Sequence, residues 1–134
     1  PDGKILYHSD SSRNHINCYS VAADGTLGEK QIFATTDIGS PDGLVVSEDG
    51  RVWVALPGGS GVGVYHPDGR FDQLIEIAEP MCTSVCFGGD DLKDLYIVSG
   101  SRGAGSDSAG SVYVQRVDVA GLAVPLARVS LTSS

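Results

Sequence analysis

Three cysteines and three histidines are the side chains in this sequence that could bind zinc or form a redox pair. Cys82 and Cys86 lie four residues apart on one predicted strand, so their Cα atoms are about 13 Å apart, which is too far for a disulfide. No histidine stands at a zinc-ligand spacing from these cysteines. We therefore expect buried free thiols in a reducing, cytoplasmic compartment and histidines with structural roles.

Asp42 is the carboxylate that stands directly before a predicted strand, in the segment Ser-Pro-Asp-Gly at residues 40–43. Asp-Gly pairs are typical of tight turns, because glycine adopts a positive φ without steric cost. Four other Asp-Gly pairs occur in the chain, beginning at Asp2, Asp24, Asp49 and Asp68. From the residues alone, the simplest interpretation of Asp42 is a further turn of this kind.

Two glycine-rich segments could approach a ligand closely. Residues 58–63 resemble a nucleotide-binding loop in composition, but a phosphate site needs a helix after the loop, and here a strand is predicted. Residues 99–110 form a longer predicted loop. It is either a surface loop or a lid over a channel mouth, in which case Arg102 would bind an anionic or hydroxylated substrate.

The strands that position the candidate residues above are indicated by three pairs of aromatic residues. These pairs are Tyr7 with Tyr19, Trp53 with Tyr65, and Tyr96 with Tyr113. The first members are 46 and 43 residues apart and the second members 46 and 48. Each pair lies on short β-type runs separated by turn residues. A period in the forties with several strands per repeat is typical of a β-propeller blade, so the sequence predicts an all-β fold.

The repeats span about residues 1–38, 39–80 and 81–134 and form one partial β-propeller domain. Predicted strands, in chain order, are 4–9, 15–21, 30–35, 43–47, 51–56, 61–66, 70–77, 83–87, 94–99, 111–117 and 123–129. The innermost strand of the first repeat is absent, because the chain opens on the turn that should follow it. A propeller needs at least about four blades to close. We therefore expect either part of a longer protein or a half-propeller that pairs with a second copy.

Composition excludes several classes of partner. The net charge is −8, and the nine lysines and arginines are spread singly, whereas nucleic-acid binding needs a clustered basic face. No run of 18 apolar residues and no basic-then-apolar leader occurs, so the sequence predicts a soluble protein with no membrane partner.

Residues 40–46, 49–56, 63–69 and 83–91 carry a combination of Pro-Asp-Gly-Leu, Asp-Gly-x-x-Trp-Val-Ala and Phe-Gly-Gly motifs. This combination closely resembles the gluconolactonase/regucalcin (SMP-30) family over nearly the whole chain. The resemblance implies a six-bladed propeller, of which this chain would be the last three four-stranded blades, the first of them without its innermost strand.

The resemblance also implies a divalent cation, calcium or zinc, held by a glutamate, an asparagine and an aspartate, and hydrolysis of sugar lactones or related esters. The aspartate corresponds to Asp42, which would act as metal ligand and catalytic carboxylate. The other ligands would precede Pro1, so we expect the isolated chain to be inactive. The alternative is a non-catalytic half-propeller that self-associates, as a homodimer, into a binding or scaffolding module.

Overall fold

A computed structural model describes residues 2–101 and 107–124, and these residues form ten β-strands and no helix. This part of the chain accordingly contains no helix that could cross a membrane. The strands are β1 (Ile5–Asp10), β2 (His15–Ser20), β3 (Gln31–Thr35), β4 (Leu44–Val46), β5 (Val52–Leu56), β6 (Gly61–Tyr65), β7 (Phe71–Glu76), β8 (Cys82–Gly88), β9 (Asp94–Ser99) and β10 (Val112–Arg116).

The strands form three antiparallel sheets that follow one another along the chain. The first sheet has the order β1-β2-β3, the middle sheet β4-β5-β6-β7 and the third sheet β10-β9-β8. The all-β prediction is confirmed, and the ends of these ten strands lie within one residue of the predicted ends. For the eleventh predicted strand, 123–129, residues 123 and 124 are not in a strand, and residues 125–129 lie outside the described part of the chain.

The middle sheet is covered on both faces. All residues of β5 and β6 are buried. Because alternate residues of a strand point to opposite faces, β5 contributes to two separate cores. Val54 and Leu56 pack with Ile16 of the first sheet. Trp53 and Ala55 pack with residues of the third sheet.

The first sheet has one strand fewer than the middle sheet. By register, β1 and β2 correspond to β5 and β6, since Tyr7 pairs with Cys18 as Trp53 pairs with Val64. The middle sheet has β4 beside β5, whereas β1 is an edge strand. The described residues thus contain no first-sheet counterpart of β4.

Turn glycines set the hairpins. Gly3, Gly25, Gly50 and Gly69 have φ between 73° and 85°, the left-handed region that favours glycine. The prediction that these four Asp-Gly pairs form turns with positive φ is confirmed. Gly58 and Ser60 also have positive φ in the turn between β5 and β6.

The repeated aromatics lie at matching strand positions but in different surroundings. Tyr7 stacks edge-on against Phe33 and borders the core between the first and middle sheets. Trp53 lies in the core between the middle and third sheets, edge-on to Phe87. Tyr96 pairs with Cys86 and Val114 on the face of the third sheet that is turned away from the middle sheet. Each aromatic therefore points towards the side of the next sheet along the chain, and no element among the described residues covers the face that carries Tyr96.

Candidate functional site

The Asp42 connection, residues 40–43, leads from the first sheet into β4. Its backbone is held by the two other sheets. The N–H of Asp42 donates to the carbonyl of Ala55 at 2.9 Å, within the middle sheet. The N–H of Gly43 donates to the carbonyl of Thr83 in β8 at 3.1 Å. The connection is therefore fixed at the place where β4 meets the third sheet.

The first sheet holds the same connection through two serine hydroxyls. Ser9 Oγ donates to the carbonyl of Asp42 at 2.6 Å. Ser11 Oγ donates to the carbonyl of Pro41 at 2.7 Å. All three sheets thus contact the residues around Asp42, although 13 to 40 positions in the sequence separate the partners of these contacts.

Gly43 allows a close approach to β8. A β-carbon at this position would lie 2.9 Å from Cα and 2.7 Å from Oγ of Ser84. Gly43 is not among the residues with positive φ. A side chain is therefore excluded at this position by steric crowding against Ser84 and not by an unfavourable φ.

Asp42 differs in its hydrogen bonding from every other Asp-Gly pair. The carboxylates of Asp2, Asp24, Asp49 and Asp68 each accept the backbone N–H two residues later, which closes a local turn. The exposed Asp42 carboxylate accepts no hydrogen bond from the residues that the structure describes. The interpretation of Asp42 as an ordinary turn residue is therefore wrong, because its neighbouring peptides are bound by distant strands instead.

Other acids do not join Asp42 in a cluster. Asp10 accepts hydrogen bonds from Ser12 and Arg13, which hold its pKa below the usual value. Asp37 lies near Tyr65, where burial and this carboxylate raise the tyrosine pKa to about 12. No group of three His, Cys, Asp or Glu side chains in the described ranges is arranged to hold a metal ion.

The cysteines are free, and their burial differs. Cys82 is buried at the start of β8, and burial, with a smaller effect of the Asp42 carboxylate, raises its pKa to about 11. Cys86 is exposed, so the expectation that it is buried is wrong. It pairs with Tyr96 on the face of the third sheet that is turned away from the middle sheet.

Residues 99–110 begin close to the Asp42 connection. The N–H of Gly100 donates to the carbonyl of Met81 at 2.7 Å, and Thr83, two residues on, binds Gly43. Arg102 lies outside the described residues, so its substrate-binding role stays a prediction. The far arm of the loop is anchored by Ser108, whose hydroxyl donates to Glu79.

Glu79 was not predicted from the sequence. It lies between β7 and β8 and is only 1% exposed. A single glutamate in a connection between strands normally lies at the surface, so no local signal distinguishes it.

The glycine-rich segment 58–63 forms a hairpin turn that runs directly into β6. No helix follows it, so the backbone geometry of a phosphate-binding loop is absent from these residues.

Comparison with known proteins gives a consistent result. A family model described as the SMP-30/gluconolactonase/LRE-like region matches residues 1–101. A 6-deoxy-6-sulfogluconolactonase of Pseudomonas putida is 34% identical over 94% of this chain and 46% of its own length. An L-arabinolactonase of Azospirillum brasilense is 33% identical over 92% of this chain and 43% of its own length.

Solved structures agree with the sequence relatives. The crystal structure of a calcium-binding protein, regucalcin, from Agrobacterium tumefaciens superimposes with a TM-score of 0.84 at 27% identity. It covers 96% of this chain and 47% of the regucalcin chain. The present chain thus spans about half the length of the relatives it matches. On the family model and these similarities, the chain belongs to the SMP-30/gluconolactonase/LRE-like family.

Proposed function

We propose that this chain is part of a divalent-cation-dependent hydrolase of sugar lactones or related esters, with Asp42 as a cation ligand and catalytic carboxylate. Family membership supports the reaction class, because two relatives carry the names L-arabinolactonase and 6-deoxy-6-sulfogluconolactonase. The calcium-binding description of the Agrobacterium regucalcin supports the cation. Because the chain spans about half of such proteins, the activity is proposed for the whole protein and not for these 134 residues alone.

The hydrogen bonding of Asp42 is the observation that carries this proposal. Four Asp-Gly pairs use their carboxylates to close turns, and the Asp42 carboxylate does not. Its flanking peptides are held by three sheets, while the carboxylate itself is exposed. A fixed backbone whose carboxylate accepts no hydrogen bond from the described residues is the arrangement expected of a ligand-binding residue.

Asp42 is a suitable type of ligand for calcium, but a single carboxylate supplies too few ligand oxygens. A carboxylate is a preferred ligand of hard cations, yet calcium takes six to eight oxygen ligands. Asp42 would supply one carboxylate, and protein residues beyond this sequence would supply the others. When bound, such a cation polarises the lactone carbonyl and lowers the pKa of a bound water.

The residues of this chain would orient that ligand and shape the entrance. Asp42 would present its carboxylate to the cation and, as a base, accept a proton from the attacking water. Gly43 keeps the connection against β8, since a side chain there would meet Ser84. The loop at residues 99–110 starts beside Thr83, so we propose that it borders the substrate entrance, with Arg102 as a substrate contact.

Replacing the carboxylate by its amide tests the proposal. In the full-length gene product, Asp42→Asn keeps the shape of the side chain but removes its charge and basicity. We expect hydrolysis of a sugar lactone to fall at least about 100-fold, because positioned acid–base groups contribute on that scale. Calcium binding, followed by calorimetry, should weaken in the same variant.

Asp24→Asn is the matched control, because Asp24 is an exposed Asp-Gly residue that only closes a turn. It should retain wild-type hydrolysis and cation affinity. Wild-type turnover in Asp42→Asn, with an unchanged circular dichroism spectrum, would remove Asp42 from the mechanism.

A second candidate function is a non-catalytic module that pairs with another copy. The observation that favours it is the face of the third sheet turned away from the middle sheet, where Val112 and Val114 are 61% and 58% exposed. Burial of such a face by a partner would stabilise the fold. In that case three sheets from each of two chains would give the six blades that we propose for the complete propeller.

A further inference from the structure

Two serines of the first sheet bind the Asp42 connection, and the proposed reaction assigns them no part. Ser9 Oγ lies 2.6 Å from the carbonyl oxygen of Asp42, and Ser11 Oγ lies 2.7 Å from that of Pro41. Both distances are those of well-formed O–H···O hydrogen bonds. We infer that Ser9 and Ser11 are positioning residues for the Asp42 carboxylate, an inference that rests on the proposed function of Asp42.

The argument begins with the two peptide groups that flank Cα of Asp42. The first peptide consists of the carbonyl of Pro41 and the N–H of Asp42. Ser11 binds this carbonyl, and the N–H donates to Ala55. The second peptide consists of the carbonyl of Asp42 and the N–H of Gly43. These groups are bound by Ser9 and Thr83.

All four polar groups of these two peptides are therefore held, and the partners come from three different sheets. Because both peptide planes are fixed, the φ and ψ of Asp42 are fixed, and its carboxylate keeps only the freedom of its own side-chain torsions. The two N–H groups donate to carbonyls of strand residues, Ala55 and Thr83. The serines supply both carbonyl partners, so no other described residue replaces them.

Loss of one serine hydroxyl would free one peptide plane to rotate. The carboxylate would then occupy a wider range of directions, and a cation that needs it at a fixed position would bind less tightly. Groups that orient metal ligands typically contribute 10- to 100-fold in metal affinity or activity. A role in stability alone would lower the melting temperature and leave the affinity of the folded protein unchanged.

The test uses Ser9→Ala, Ser11→Ala and the double variant in the full-length gene product. We expect each single variant to bind calcium about 10-fold more weakly in a calorimetric titration. Its kcat should fall, whereas its KM should stay unchanged. Ser9→Thr and Ser11→Thr retain a hydroxyl and should restore most of the affinity. Ser12→Ala is the matched control, since Ser12 Oγ bonds only the nearby Asp10 carboxylate.

Amide hydrogen exchange at Gly43 gives a readout that does not depend on activity. We expect faster exchange in Ser9→Ala and Ser11→Ala than in wild type, and wild-type exchange in Ser12→Ala. Equal exchange rates and equal calcium affinity in all variants would overturn the inference. If Asp42→Asn also left calcium affinity unchanged, the proposed function would fail instead, so the two failures are distinguishable.

Discussion

At the residue scale, Gly43 sets how closely the Asp42 connection lies against the third sheet. The space that a β-carbon would need is taken by the backbone and hydroxyl of Ser84. Backbone atoms cannot move aside as a flexible side chain can, so the strand β4 or β8 would have to shift. The hydrogen bond from Gly43 to Thr83 would lengthen with that shift.

We expect Gly43→Ala to lower the free energy of unfolding by about 1–3 kcal/mol, the usual cost of inserting a group into a packed site. Urea denaturation of the full-length protein would measure it. Gly58→Ala is a useful comparison, because Gly58 has a positive φ of 81° but open space around it. Gly58→Ala should lower the free energy of unfolding through the backbone conformation alone, by roughly 1–2 kcal/mol. A Gly43→Ala variant as stable as wild type would show that β8 can shift to accommodate the methyl group without a loss of free energy.

Some of this site could be predicted from sequence and some could not. Asp42 can be identified from the sequence, because the Pro-Asp-Gly-Leu motif that contains it consists of neighbouring residues. What separates it from Asp24 is a set of backbone hydrogen bonds with distant residues. These are Ser9, Ala55 and Thr83 on other strands, and Ser11 in the turn after β1. Such long-range partners leave no periodic signal near Asp42.

At the element scale, Trp53 links the middle and third sheets. Its side chain is 1% exposed, stacks edge-on against Phe87 at 5.3 Å, and donates from Nε1 to Ser47 Oγ at 2.9 Å. The ring therefore contributes both burial and a satisfied polar contact. The residue at the equivalent position of the third sheet, Tyr96, is only partly buried.

We expect Trp53→Ala to lower the free energy of unfolding by roughly 3–5 kcal/mol, the range for large buried aromatic residues. Chemical denaturation followed by circular dichroism would measure the loss. Tyr96→Ala is the matched control, because it truncates the equivalent residue on an uncovered face and should cost clearly less. Equal losses of stability in the two variants would contradict the role of Trp53 in filling the space between the middle and third sheets.

The strands themselves could be predicted well, for a local reason. Short apolar runs bounded by Asp-Gly turns are local signals, so Val52–Leu56 and Gly61–Tyr65 can be predicted as strands without tertiary information. The contact of Glu79 with Ser108 joins segments 29 residues apart and is not readable in this way. Cys82 is buried and Cys86 is exposed, although four residues separate them, because a register shift between Cys82 and Ser84 places them on opposite faces of β8.

At the scale of the whole molecule, the sheets at the two ends differ from the middle sheet. Every residue of β5 and β6 is buried because both faces are covered. The third sheet is covered on the face that carries Leu95 and Ile97. Its open face, defined by Cys86, Tyr96, Val98, Val112 and Val114, has no covering element among the described residues.

Cys86 is a built-in reporter for this open face, and its reactivity tests whether the isolated 134-residue chain self-associates. We expect association at micromolar concentration, since exposed apolar sheet surface is stabilised by burial. Cys86 should then react with a thiol reagent more slowly as protein concentration rises, and sedimentation should show a dimer. Cys82 provides the internal control, because its burial and its pKa of about 11 should keep it unreactive at every concentration. A labelling rate for Cys86 that does not change with concentration, together with monomeric sedimentation of a folded chain, would show that the open face needs no partner.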